Sequence, residues 1–172
     1  MRDFASPTSR AAALSLPARI LYTVFALMTL AGCISCVVIY DGIVRFGART
    51  TPQELQSRVV AHYETIDRQK LVETTHAHLF TMPVLLLVAG HLFLLCRASM
   101  NLKLAVVIAA SLATVLHVAA PRLVIAMHGN ALAAALYPPS GGLLLLVTAL
   151  MLSVPVWQMW SAPSRDRSQD AA

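Results

Sequence analysis

Residues 73–95 read ETTHAHLFTMPVLLLVAGHLFLL, an apolar run that carries the three histidines His76, His78 and His91. The run is long enough to cross a bilayer core, which takes about 20 apolar residues. Because unsatisfied backbone groups are costly in hydrocarbon, such a run should form a helix. Its imidazoles need an explanation, since ionisable side chains within a span are costly and are usually functional.

The composition of the whole chain indicates a membrane protein. Of its 172 residues, 58% are hydrophobic and 12% are charged, whereas soluble domains carry about 25% charged residues. Four runs are long enough to span a bilayer, and they cover about residues 20–40, 75–96, 102–120 and 142–160. We expect the third helix to extend to about residue 128. These runs predict an all-α integral membrane four-helix bundle, with residues 1–172 in a single domain.

The segment between the first two runs contains an amphipathic pattern. The sequence TPQE at 51–54 matches a capping box with proline at the first helical position. Leu55, Val59, His62 and Ile66 then recur at helical spacing. We predict a helix over about residues 52–72 in the first outer loop. Without a helix breaker before the second span, the two could form one long bent element.

The distribution of basic residues predicts the topology. They concentrate in three segments that lie on one side of a four-span chain: Arg2, Arg10 and Arg19; Arg97 and Lys103; Arg165 and Arg167. The positive-inside rule makes that side cytoplasmic, which predicts a bacterial inner-membrane protein with both termini in the cytoplasm. Topology also accounts for the net charge of +5, so we expect no nucleic-acid partner.

The sequence LAGC at 30–33 resembles a lipobox, but the apolar run continues beyond Cys33. A lipoprotein would turn polar at that point, so we expect a retained first helix.

Most of the histidines gather in the predicted outer half of the bundle. At about 1.5 Å of rise per residue from the turn at 97–103, His91 lies roughly 9 Å up. On the same scale His117, His78, His76 and His128 lie at roughly 21, 28, 31 and 37 Å. Other chemically active side chains are expected in the same half: Arg122 at the interface, Glu73 three residues before His76, and Cys33 with Cys36 on one face of the first helix.

In size, in its four spans and in its intramembrane histidines on facing helices, the chain resembles the four-helix membrane b-type cytochromes. Gly90 beside His91 adds a position for close helix packing. The resemblance implies one b-type haem near the outer face, held by one histidine from each of two facing helices. His78 and His117 are the favoured axial pair. His78 and His91 are 13 residues apart, which turns them about 140° from each other and argues against a second haem.

The other residues of this hypothesis have supporting roles. His76 and His128 are alternative ligands, Arg122 would bind a haem propionate or a quinone headgroup, and Glu73 would orient a ligand ring. The function would then be membrane electron transfer, with electrons exchanged with quinone or with a membrane or periplasmic redox partner protein.

Two alternatives remain open. The first is a copper or zinc site in an assembly or transport factor, with ligands drawn from His76, His78, His117, His128, Cys33 and Cys36. The second is an accessory subunit without a cofactor, whose histidines lie at a subunit interface or in a quinone pocket. No nucleophile and base at a useful spacing indicates hydrolytic chemistry.

Overall fold

A computed structural model of the chain describes residue 11 and residues 14–44, 51–127 and 131–161. Over these residues the longer elements are all helices, which confirms the predicted all-α class. In chain order they are α1 (Leu16–Val44), α2 (Pro52–Thr65), α3 (Arg68–Leu94), α4 (Met100–Ala126) and α5 (Ala131–Ser161).

Four of these helices are long and apolar enough to cross a membrane. The qualifying segments are Leu16–Ile39, Gln69–Leu94, Met100–Ala126 and Leu136–Ser161. The third continues past Pro121, as expected, and ends at Ala126. The fourth spanning segment lies in α5, and this helix begins well before residue 142 because it accommodates Pro138 and Pro139. Spanning helices tolerate proline when neighbouring groups satisfy the freed backbone groups.

Helix α2 begins at the predicted capping box. The side-chain oxygen of Thr51 accepts a hydrogen bond from the backbone N–H of Glu54 (3.3 Å), and the Glu54 carboxylate accepts one from the backbone N–H of Thr51 (2.8 Å). These bonds hold the pKa of Glu54 below its usual value. Proline at the first turn has no N–H to leave unsatisfied, which completes a strong helix start.

The helix predicted over about 52–72 is divided in two. Helix α2 ends at Thr65, and Ile66 adopts an extended conformation. Asp67 then starts α3, its carboxylate accepting a hydrogen bond from the backbone N–H of Gln69 (3.3 Å). A side chain that accepts a hydrogen bond from a free N–H at a helix N-terminus stabilises the start of that helix. Helices α2 and α3 are therefore separate elements.

Helix α5 is the centre of the packing, because it contacts all four other helices and contacts α4 most extensively. The main core joins α3, α4 and α5 with part of α1. At Gly90 an added Cβ would lie 3.3 Å from the Met151 side chain, so α3 and α5 approach closely there. Helix α1 rests mainly on α5 and α2 and leaves most of its large apolar side chains exposed, as a lipid-facing helix does.

Helix α2 packs across one end of the bundle, which we call the α2 end. Val59 and Tyr63 of α2 are buried there against Ala120 and Val124 of α4 and Tyr137 of α5. The opposite end carries the short connection between α3 and α4. There the indole N–H of Trp160 donates to the hydroxyl of Thr23 (3.0 Å) and ties α5 to α1.

Candidate functional site

Two histidines from adjacent helices face each other near the α2 end. The ring of His78 on α3 and the ring of His117 on α4 have centroids 6.4 Å apart and planes inclined at 55°. Nδ1 of His78 lies 2.7 Å from the carbonyl oxygen of Thr74, one turn earlier on α3. A carbonyl oxygen only accepts, so Nδ1 donates this bond, and in the neutral form of such a ring Nε2 keeps a lone pair. His78 is therefore prepared to act as a ligand or an acceptor through Nε2.

His117 is fixed by packing from α5. Its ring stacks on Tyr137, with centroids 5.9 Å apart and planes 9° from parallel. One turn further along α5, a Cβ on Gly141 would lie 3.4 Å from Cε1 and 3.5 Å from Nδ1 of the same ring. The Nδ1 atom is buried and has no hydrogen-bond partner among the described residues. Tyr137 and Gly141 therefore hold the ring from two positions, and we call this pair the His117 seat.

The seat is connected to α2 by further aromatic contacts. Tyr137 meets Tyr63 of α2 edge to face, with centroids 5.5 Å apart, and their side chains share a hydrogen bond. Tyr63 in turn contacts His62 edge to face at 5.1 Å. Five rings thus form a continuous row from the surface helix into the bundle: His62, Tyr63, Tyr137, His117 and His78.

The other candidate histidines are placed differently. His76 is exposed, and its ring packs on Phe80 of the same helix, with centroids 4.8 Å apart. His91 is exposed near the far end of α3. His128 lies outside the described residues. The structure therefore brings together His78 and His117 and leaves His76 and His91 away from them.

Arg122 reaches the helix that carries His78. Its Nε donates to the hydroxyl oxygen of Thr75 (3.5 Å), and that hydroxyl donates to the carbonyl oxygen of Leu71 (2.7 Å). Thr75 precedes His78 by about one helical turn. The Arg122 guanidinium therefore lies nearer to the α2 end than the histidine pair does. Glu73, by contrast, accepts a hydrogen bond from the Gln69 side chain (2.8 Å) on its own helix.

The two cysteines of α1 are free thiols. Cys33 is half-buried and Cys36 is exposed. Among the residues that the structure describes, no three His, Cys, Asp or Glu side chains form a group that could hold a metal ion.

Outside the spans, burial shifts two ionisation equilibria. Burial of His62, aided by the nearby positive charge of Lys70, lowers the pKa of its ring below 6.5. Burial of Cys96, between α3 and α4, raises the pKa of its thiol to about 11, against an opposing effect of Lys103. The Cys96 thiol is therefore protonated at neutral pH, and the His62 ring favours its neutral form more than an exposed histidine does.

Sequence reasoning missed the residues that hold His117. Tyr63 lies in the predicted outer-loop helix, where its pattern indicates only an amphipathic face. Tyr137 and Gly141 lie before the fourth span as predicted, at about residues 142–160, and so outside any predicted helix. The available signal was the spacing of Tyr137 and Gly141, four residues apart, which places an aromatic ring and a gap on one helix face. Finding it required a helix that runs through Pro138 and Pro139.

Comparison with known proteins adds a family. No curated protein and no solved structure matches the chain. A family model described as a transmembrane helical domain, Aq_1264_TM, matches residues 60–166. That region is more than half of the chain and contains His78, His117 and the His117 seat. The chain is thus an integral membrane protein that belongs to the Aq_1264_TM family of transmembrane helical domains.

Proposed function

We propose that this protein binds one b-type haem, with His78 and His117 as axial ligands, and functions in membrane electron transfer. The spacing of these two rings supports the proposal. With metal–nitrogen bonds of about 2 Å, two imidazoles that share one metal ion have centroids roughly 6 Å apart. The centroids of His78 and His117 are 6.4 Å apart, so the pair suits a shared ion.

The surrounding residues fit the demands of such a site. Ligand histidines usually donate their second ring N–H to an oxygen, which fixes the ring and raises its basicity, and His78 makes that bond to Thr74. The seat of Tyr137 and Gly141 holds the other ring. When bound, haem would supply an iron that gains and loses one electron.

Arg122 would bind a haem propionate or a quinone headgroup, because a guanidinium matches planar or charged oxygen groups. Its bond to Thr75 would keep it on the side of the pair that faces the α2 end. His76 and His128 remain the alternative ligands.

The proposed location is the bacterial inner membrane, with both termini in the cytoplasm. The basic segments at the termini and after the second span support that orientation. The α2 end then faces the periplasm, and electrons would pass to quinone or to a redox protein that docks on residues 41–74.

Haem content of purified variants tests the proposal. We expect the wild type and the control variant His91→Ala to purify with haem, since His91 lies away from the pair. His78→Ala and His117→Ala should insert into the membrane and lose the Soret band. Haem retained at the wild-type level in both of these variants would reject the ligand pair.

A copper or zinc site is the second candidate, and the free thiols of Cys33 and Cys36 favour it because thiolates are strong ligands for these metals. If copper or zinc is bound, replacing Cys33 and Cys36 with serine should lower the metal content per chain. Unchanged metal content would restrict those thiols to packing. A colourless, metal-free protein made with haem in supply would favour an accessory subunit without a cofactor.

A further inference from the structure

The row of five rings crosses four helices without a gap. His62 and Tyr63 belong to α2, Tyr137 to α5, His117 to α4 and His78 to α3, and successive centroids are 5.1, 5.5, 5.9 and 6.4 Å apart. Helix α2 lies outside the four spanning segments. The row therefore connects a helix outside the spans to the histidine pair within them.

The two histidines of the pair are held in different ways. His78 has its ring fixed by a hydrogen bond to Thr74. The buried Nδ1 of His117 has no such bond within the part of the chain that the structure describes, so packing contacts along the face and edge of the ring hold its orientation. Those contacts come from Tyr137, whose ring is almost parallel to it, and from Gly141.

The position of Tyr137 depends in turn on α2. Its ring is buried against Tyr63, which is itself buried beside Val59, Ala120 and Val124. Edge-to-face contact between buried aromatic rings prefers a defined relative orientation. The hydrogen bond between the two tyrosines fixes it further.

We propose that Tyr63 and Tyr137 are positioning residues, through which α2 sets the orientation of the His117 ring. The part of this proposal that treats His117 as a haem ligand rests on the proposed function. The part that concerns the orientation of the His117 ring holds for the protein with or without a cofactor. A change in how α2 packs on the bundle would therefore move one histidine of the pair and leave the other in place.

The first test uses the cofactor-free protein. In ¹⁵N-histidine NMR spectra of the full chain in detergent, Tyr137→Leu should shift the His117 ring signals and leave those of His78 nearly unchanged. Tyr137→Phe keeps the stacked ring and should shift the His117 signals far less than Tyr137→Leu does. Tyr22→Phe, at the opposite end of the bundle, serves as the control. Wild-type His117 signals in Tyr137→Leu would overturn the inference.

The second test compares the two hydroxyls. If their hydrogen bond transmits the effect, Tyr63→Phe and Tyr137→Phe should each produce a small shift of the His117 signals. The double variant should then shift them no further, because residues that share one interaction are not additive. Shifts that simply add would mean that the two hydroxyls act separately and would overturn the transmission through α2.

Haem titration separates this inference from the proposed function. Loss of a residue that orients a ligand typically lowers metal affinity about 10–100-fold, and we expect that loss in Tyr137→Leu. A wild type that binds no haem would reject the proposed function, and the NMR comparison would still decide the positioning role. A wild type that binds haem, with unchanged affinity and spectrum in Tyr137→Leu, would reject the positioning role alone.

Discussion

Adjacent glycines on α5 allow a matched test of the His117 seat. A Cβ at Gly141 would already touch the His117 ring at 3.4 Å, whereas a Cβ at Gly142 would meet nothing within 4 Å. Valine adds two further carbons, and at 141 they need space that the imidazole occupies. Overpacking of this kind costs about 1–3 kcal/mol, so Gly141→Val should destabilise the bundle by that amount. Gly142→Val should change its stability by less than about 0.5 kcal/mol, as is usual for a surface substitution away from buried features.

The two variants share the same change in helix propensity, so that contribution cancels in their comparison. Stability can be measured by titrating the detergent-solubilised protein with sodium dodecyl sulfate. The fluorescence of Trp157 and Trp160, both in α5, reports unfolding. Equal midpoints for Gly141→Val and Gly142→Val would refute the placement of the His117 ring against α5.

Three further predictions concern groups outside the spans. Because burial lowers the pKa of His62 below 6.5 in the folded protein, the unfolded chain binds the proton more readily, and the free energy of unfolding should fall as the pH drops below about 6.5. The stability of His62→Gln should depend less on pH. A pH profile of stability identical to that of the wild type would contradict the burial of the His62 ring. Thr51→Ala removes the side-chain acceptor of the capping box and should lower the free energy of unfolding by about 1 kcal/mol. Ser57→Ala is the control, because the Ser57 hydroxyl donates to the carbonyl oxygen of Glu54 in the same helix (2.9 Å). Equal stabilities of the two variants would argue against the cap. With a thiol pKa of about 11, Cys96 should resist iodoacetamide in the folded protein at neutral pH and react after unfolding, as mass spectrometry would show in a variant with Cys33 and Cys36 replaced by serine.

The four spans could be predicted from the sequence because their signal is long and additive. Twenty apolar residues in a row leave few alternatives to a spanning helix. The break between α2 and α3 rests on one side chain, Asp67, which caps α3. The capping effect of Asp67 competes with a helical pattern that continues through this position, and the pattern alone does not show which of the two determines the structure.

The start of α5 was missed for a related reason. The sequence YPPSGG at 137–142 is rich in residues that usually end helices. In a bundle, the helix can continue through them because packing against α4 holds the backbone in place. Local preference therefore indicated a loop where tertiary contacts favour a helix.

The site was predictable to the level of which helices carry histidines at similar depth. The rise per residue placed His78 and His117 in the same half of two neighbouring helices, and their rings are 6.4 Å apart. The His117 seat could not be predicted from the sequence, because it depends on the rotation of α5 about its own axis. That rotation is set by the sum of many contacts along α4.

The most direct test of haem binding is the absorption spectrum of the detergent-purified wild type, as isolated and after dithionite, with elemental analysis of the same sample. The proposed haem predicts a Soret band, split α and β bands on reduction, and one iron per chain. A colourless sample without iron, from cells supplied with haem, would contradict it.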